Sequence, residues 1–367
     1  MRTTLLCSGE LTPADLDRWR ELAAAAAEPN PFYEPDYVLP LARALGEQEE
    51  ILLAVVQDEG GWLACVPVRH VARWHRIPLR ALASWRGRGL LPALLGTPLV
   101  AREHLAPATA ALLRGLAGSP GSWFATLDGV VADGPVYGAL RAGLASEGLW
   151  GHVFAREDRA FVSRHGQDDY VQTAMQKKHL RNLRGQSRRL VEELGDELEL
   201  LDRTGQDGAV AQLVELEAAS HLAERGEVIA ADPAIEGFFT EMCDRFAARD
   251  RLQLLALNAG GRTVAVKCNL LADPGVFYLK IAYDETLQKF SPGIQMEAAA
   301  FSLFHGRAQS MWIDSCASPE NKMANRLFPE RRTLETVVFA QRSPRLLLAA
   351  PAVRLAQRLR DRAMRAR

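Results

Sequence analysis

Two neighbouring stretches of this chain carry chemistry: Lys280-Ile281-Ala282-Tyr283-Asp284-Glu285, and then Lys289-Phe290-Ser291-Pro292-Gly293-Ile294. The first reads as a strand bearing polar side chains. The second reads as a tight Pro-Gly turn opening a helix, with serine at the N-cap and proline in the first turn. Backbone N–H groups at a helix start lack intrahelical partners and favour anions, so Ser291, Gly293 and Ile294 are expected to hold phosphate. Lys289 adds charge there, with Phe290 beside it. A polar strand running into such a turn suits a ligand with a phosphate tail and a reactive end along the sheet. A plain helix-starting turn uses the same amides, so the two readings coexist.

The rest of the chain must supply a scaffold, and 367 residues with 48% hydrophobic and 24% charged content are enough for one large or two medium soluble domains. The net charge of −1 gives no general reason to expect nucleic acid, and DNA is not an expected partner. Five scattered cysteines without a CxxC pair fit a reducing cytoplasm, and neither a zinc ribbon nor any other metal site is expected. The N-terminus turns acidic before a signal-peptide core can develop, and no apolar run reaches the roughly 18 residues a spanning helix needs. The expected location is cytoplasmic.

Thr12-Pro13 starts a helix that the alanine run carries to Glu28. Strands are predicted at 51–57 and 62–71 around a turn at 58–61. A similar hairpin recurs at 252–258 and 263–271, with a third strand at 276–284 and a last one at 310–315. The recurrence suggests two related units: residues 1–165 and 166–340, followed by a basic tail at 341–367. Between the hairpins, 176–194 reads as a helix with Leu180, Leu183, Leu190, Val191 and Leu194 on one face and lysines and arginines on the rest. A second helix is predicted over 209–224. Arg86-Gly87-Arg88-Gly89 mimics a phosphate loop but leads into Leu90-Leu91-Pro92 rather than a helix, and reads as a plain loop.

Four pieces between Gln176 and Phe339 resemble the GNAT acyltransferase superfamily, more narrowly its CelD-like or FemAB-like branch with two GNAT-type units in one chain. They are the basic helix Lys177–Arg184, then Leu216-Glu217-Ala218-Ala219-Ser220, then Lys280–Glu285 with Ser291-Pro292-Gly293, and finally Trp312-Ile313-Asp314-Ser315-Cys316-Ala317 with Asn321-Lys322. Their order over some 160 residues carries the match. The chain departs from the pattern where Ser220-His221-Leu222 stands in place of Gly-Trp-Lys, and where the phosphate loop is reduced to one glycine. The fold the resemblance implies is α/β (α+β): two tandem units, each a mixed, mostly antiparallel sheet flanked by helices. The first unit would form the acceptor side and the second the acyl-donor side.

In a GNAT unit the fourth and fifth strands splay apart around an acyl thioester. The resemblance therefore implies N-acyl transfer from acyl-CoA to a primary amine of a small molecule or sugar. Alternation along 276–284 is expected to put Tyr278, Lys280, Ala282 and Asp284 on one face, with Lys280 and Asp314 pointing into one cleft. Glu217 or Asp314 would take the amine proton, and Lys280 or a backbone N–H would stabilise the oxyanion. Tyr283 completes the expected catalytic set; Lys178, Arg181, Tyr278 and Asp284 are the expected acceptor contacts. Changing Lys280 or Asp314 to Ala is expected to cut turnover without unfolding. Each residue also has a bland reading: Lys280 a surface lysine, Asp314 a turn cap, Glu217 part of a solvated face with Glu215, Asp284 a loop charge. Cys316 reads as a small buried cysteine.

Two other functions keep the fold. Fem-type enzymes take aminoacyl groups from tRNA, and the basic helix offers an RNA contact; no long inserted helical segment favours that donor here. A non-catalytic binding subunit is the third reading, motivated by the missing Trp-Lys pair. The tail, with eight arginines and one aspartate among leucines, has the composition of a segment lying on an anionic membrane or of a terminal helix docked on the core.

Overall fold

A computed structural model describes residues 1–75, 77–164, 177–306 and 310–365. The chain forms two compact units. The first comprises Met1–Asp158 with Arg332–Arg367, and the second Arg159–Arg331. The sequence reading closed the second unit at residue 340. The strand Glu330–Ala340 instead runs on into the first unit, where from Leu334 its residues pair with those of Phe124–Val131.

In chain order the first unit contains β1 (Arg2–Cys7), α1 (Pro13–Ala25), α2 (Pro35–Ala44), β2 (Leu52–Asp58), β3 (Gly61–Val71), β4 (Ala81–Ser84), β5 (Leu99–Val100), α3 (Leu105–Ala117), β6 (Phe124–Val131), α4 (Pro135–Ser146) and the start of β7 (Trp150–Ser163). β1, β2, β3 and β4 pair antiparallel in sequence order, β4 pairs parallel with β6, and β6 pairs antiparallel with the late strand Glu330–Ala340. A capping box starts α1: Thr12 Oγ1 accepts from the Asp15 amide, and the Asp15 carboxylate accepts from the Thr12 amide at 3.0 Å. The helix stops at Ala25 rather than Glu28 because Ala26 bridges Ala101 and the Ala27 amide donates to the Val100 carbonyl at 2.8 Å. Residues 86–89 are loop, as read.

The second unit continues from β7 with α5 (Lys177–Leu194), β8 (Glu199–Asp202), α6 (Ala209–Ala218), α7 (Pro233–Ala247), β9 (Leu252–Ala259), β10 (Arg262–Ala272), β11 (Gly275–Tyr283), α8 (Pro292–Gly306), β12 (Trp312–Asp314) and α9 (Lys322–Leu327). Its sheet runs in the order β7-β12-β11-β10-β9-β8, antiparallel except for the parallel pair β11–β12. The fold class is thus as expected: mixed α/β, mostly antiparallel, flanked by helices. The hairpins β2–β3 and β9–β10 occupy corresponding places in the two units. The turn of the second uses Gly260 and Gly261 at φ +57 and +72, the left-handed values that a two-residue hairpin connection demands.

The leucine stripe of α5 is the face that packs: Leu183 and Leu190 are buried against β10 and α8 residues, while its arginines stay outside. α6 is shorter than predicted. After Ala218 the chain turns through a 3-10 segment, Ala223–Arg225, and leaves it at Gly226 in the left-handed region. The late strands become β13 (Glu330–Ala340) and the tail becomes α10 (Leu346–Arg365). Ala349, Val353 and Ala356 of α10 are buried against Trp74, Phe124, Phe154 and Val338. The tail is therefore a docked helix.

Candidate active site

Gly275, Val276 and Phe277 of β11 pair with Trp312, Ile313 and Asp314 of β12, and the pairing stops there. Beyond that point the two strands part. A cavity of about 270 Å³ opens between them, walled by Tyr278–Ile281 on one side and Ser315–Ala317 on the other. Met323, Leu327 and Phe328 add apolar lining, and Lys267 and Glu297 reach it from β10 and α8. The backbone edge of β11 along this stretch is open to a ligand rather than paired with β12. The base of the splay is tight: a Cβ on Gly275 would lie 2.1 Å from the Trp312 ring. Gly275→Ala is therefore expected to displace the indole and cost about 1–3 kcal/mol in urea unfolding, with the Trp312 fluorescence shifted.

The expected alternation along β11 fails at one residue. Lys280 is opposite Cys268 and Tyr278 is opposite Asn269, so Leu279 is an extra residue bulged from the strand. Because Cys268 and Asn269 are successive residues, Tyr278 and Lys280 point to opposite faces. Tyr278 packs with Phe301 and Phe328 on the α8 side. Lys280 turns to the other side and forms an ion pair with Glu217 of α6. Glu217 is 3% exposed, and its Oε2 accepts from the Ile229 amide at 2.7 Å. Two residues of the expected catalytic set, 63 positions apart in the chain, are thus in direct contact, and neither is a solvated surface charge.

Asp314 is placed differently from the expectation. It is fully buried, bonded to Arg159 of β7 at 2.6 Å and accepting from the Cys316 amide at 2.9 Å. It braces the end of β12, where Cys316 takes a φ of +50°, and it does not line the cavity. Replacing it takes the carboxylate away from a buried guanidinium, so Asp314→Ala is expected to cost stability as well as any turnover. Cys316, read as buried, is half-exposed on the cavity wall.

The Pro-Gly turn opens α8 as predicted, with Ser291 itself in the left-handed region at φ +54°. Pro292 has no N–H, and the Ile294 and Gln295 amides are turned to the Ser291 carbonyl at 3.0 and 3.1 Å. Gly293 is the amide the turn can present. The Ser291 hydroxyl accepts from Gln186 of α5 at 3.0 Å. Gln186 in turn lines a surface depression with Arg181, Arg188 and Arg189. Tyr283 lies beneath the turn, its ring in contact range of a Cβ built on Gly293. Phe290 is buried in the core under α5, Ile294 packs against the aromatic cluster around Tyr278, and Lys289 is an exposed partner of Glu193. Asp284 ties down the following turn. It accepts from the Thr286 amide and hydroxyl and from the Arg262 guanidinium. Burial pushes its carboxyl up, but these bonds outweigh burial and hold it below the usual range. The Lys178 side chain lies outside the described residues.

Two residues that sequence reading passed over complete the cavity. Lys267 and Glu297, both nearly inaccessible, form an ion pair, and the ammonium lies over the Tyr278 ring. Burial pulls Lys267 down to about 8, against the opposing pull of the Glu297 carboxylate. The available signal was a lysine inside the apolar run Val264–Leu271 and a glutamate inside the apolar helix 292–306. Among the described residues no three histidine, cysteine or acidic side chains are grouped to hold a metal ion, and no helix is long and apolar enough to cross a membrane.

Comparison with known proteins agrees with this geometry. Residues 177–308 match the family profile of the acetyltransferase (GNAT) domain. A search of curated protein sequences gives no match. The fold is similar to the crystal structure of FemX, with a TM-score of 0.58 at 11% identity over 95% of this chain and 99% of that one. A conserved protein of unknown function from Bacteroides thetaiotaomicron gives 0.56 at 12% identity, over 92% and 99%. The C-terminal domain of a putative lysylphosphatidylglycerol synthetase from Agrobacterium fabrum gives 0.51 at 12% identity, over 89% and 92%. Residues 177–308, within the second unit, thus match a GNAT acetyltransferase domain, and the chain as a whole has a fold similar to that of FemX.

Proposed function

We propose that the second unit transfers an acyl group from acyl-CoA to a primary amine of a small-molecule or sugar acceptor by direct attack. The observation that carries this reading is the cavity in the splay between β11 and β12, with an open strand edge on one wall and the buried Lys267–Glu297 pair on another. Its volume of about 270 Å³ is at the small end for ligand sites, which suits a short acyl group. The donor's phosphates would rest on the Gly293 amide and the arginines around Gln186, and its thioester would reach the edge of β11.

In the reaction a C–N bond forms, the C–S bond breaks, and one proton leaves the amine. Lys267 in its neutral form takes that proton and returns it to the departing thiolate. A lysine held near 8 is suited to both transfers at neutral pH. The Lys280 ammonium, held by Glu217, is the charge available to a developing oxyanion.

Acetyl-CoA and longer acyl-CoA esters are expected to raise Tm, since a ligand at a hundredfold its Kd stabilises by about 2.7 kcal/mol. Absence of a shift with every CoA ester would sink this reading. The second reading, an aminoacyl-tRNA donor, draws on the arginine-lined depression of α5. It predicts instead co-purified tRNA and RNA binding that weakens steeply with salt.

A further inference from the structure

The last helix of the described chain has its large and small side chains placed the wrong way round for a core helix. α10 buries alanine and valine, Ala349, Val353 and Ala356, against the first unit. Its large residues face outward: Leu347, Leu348, Leu355, Leu359 and Met364 are each more than half exposed. They are five of the eight large hydrophobic side chains exposed among the described residues, so the apolar exposure is gathered on one element rather than scattered. Leu348, Leu355 and Leu359, at i, i+7 and i+11, form one stripe. Leu355 and Leu359 also wall a groove of about 500 Å³ whose other lining includes Ile77 and Phe154. Along the neighbouring stripe run Arg354, Arg358 and Arg362 at i, i+4 and i+8, all exposed.

We propose that this face seats the first unit on an anionic lipid surface, with the leucines in the interface and the arginines at the lipid phosphates. The charge decides among occupants. A second copy packed on the same face would bring two helices, each in a segment with eight arginines and one aspartate, against one another. RNA would satisfy the arginines but has no use for a leucine stripe without aromatic rings to stack on. A layer that is apolar inside and negative at its rim satisfies both stripes at once.

The test is co-sedimentation of the full chain with vesicles, either of phosphatidylcholine alone or with about one-third phosphatidylglycerol. Binding is expected to the anionic vesicles only, and to weaken as salt is raised. The variant Leu348→Ser/Leu355→Ser/Leu359→Ser should bind at least about tenfold more weakly with an unchanged Tm, because the removed side chains pack against little in the fold. Arg354→Glu/Arg358→Glu/Arg362→Glu should abolish binding. Equal binding to neutral vesicles, no binding to anionic ones, or full binding by the serine variant would overturn the proposal. So would a dimer in light scattering that the serine variant dissolves, which would assign the face to a second copy.

Discussion

Lys267→Met is expected to destabilise the second unit by about 3–5 kcal/mol, because it leaves the Glu297 carboxylate buried without its partner. The double variant Lys267→Met/Glu297→Leu is expected to recover most of that loss, since a buried ion pair replaced by apolar residues of similar volume is often neutral or stabilising. Urea unfolding followed by circular dichroism measures both. A double variant as unstable as the single one would show that the pair does more than neutralise itself. The wild type adds a pH signature. Lys267 gives up its proton near 8 in the fold, against an ordinary value of 10.5. Between these values the unfolded chain binds the extra proton, so this group's contribution to stability rises with pH by about 1.4 kcal/mol per unit. Neither Lys267 variant should show that rise. If Lys267 is the proton acceptor, wild-type turnover rises with a midpoint near pH 8 to a plateau above it, and the double variant, though folded, is inactive.

Lys280→Ala is expected to lower kcat with acetyl-CoA by about 10²–10³-fold, the usual effect of removing one donor from a developing oxyanion. Lys280 also neutralises Glu217, so the variant alone confounds catalysis with stability. Adding Glu217→Gln removes the stranded charge and keeps an acceptor for the Ile229 amide. The double variant should regain stability while turnover stays low. Recovery of turnover along with stability would make Lys280 a structural residue. The pH at which turnover rises should stay near 8 in Lys280→Ala, because the proton acceptor, Lys267, sits on β10 and faces the opposite side of the sheet.

Much of the scaffold was legible because it rests on local signals. Thr12-Pro13 with Asp15 specifies a capped helix start, the leucine spacing of α5 its packed face, and the turn residues at 58–61 and 259–262 the two hairpins. The Pro-Gly turn opened α8 where the sequence placed it, Lys280 was legible as a lysine in apolar company, and Glu217 was marked by the family resemblance of Leu216–Ser220. All of these follow from neighbours a few positions apart, which the chain encodes directly.

What tertiary structure decided is which face, which partner and how buried. The bulge at Leu279 reverses the side on which Lys280 emerges, and nothing in Tyr278–Lys280 announces an extra residue, because a bulge is defined only against the partner strand. Asp314 passed from expected base to brace because Arg159, 155 positions away, reaches it in a dry interior where a lone carboxylate cannot stay ionised. Lys267 and Glu297 looked like interruptions of apolar runs until folding set them against each other. Their chemistry comes from shared burial, a property of the assembled sheet and helix that neither segment holds alone.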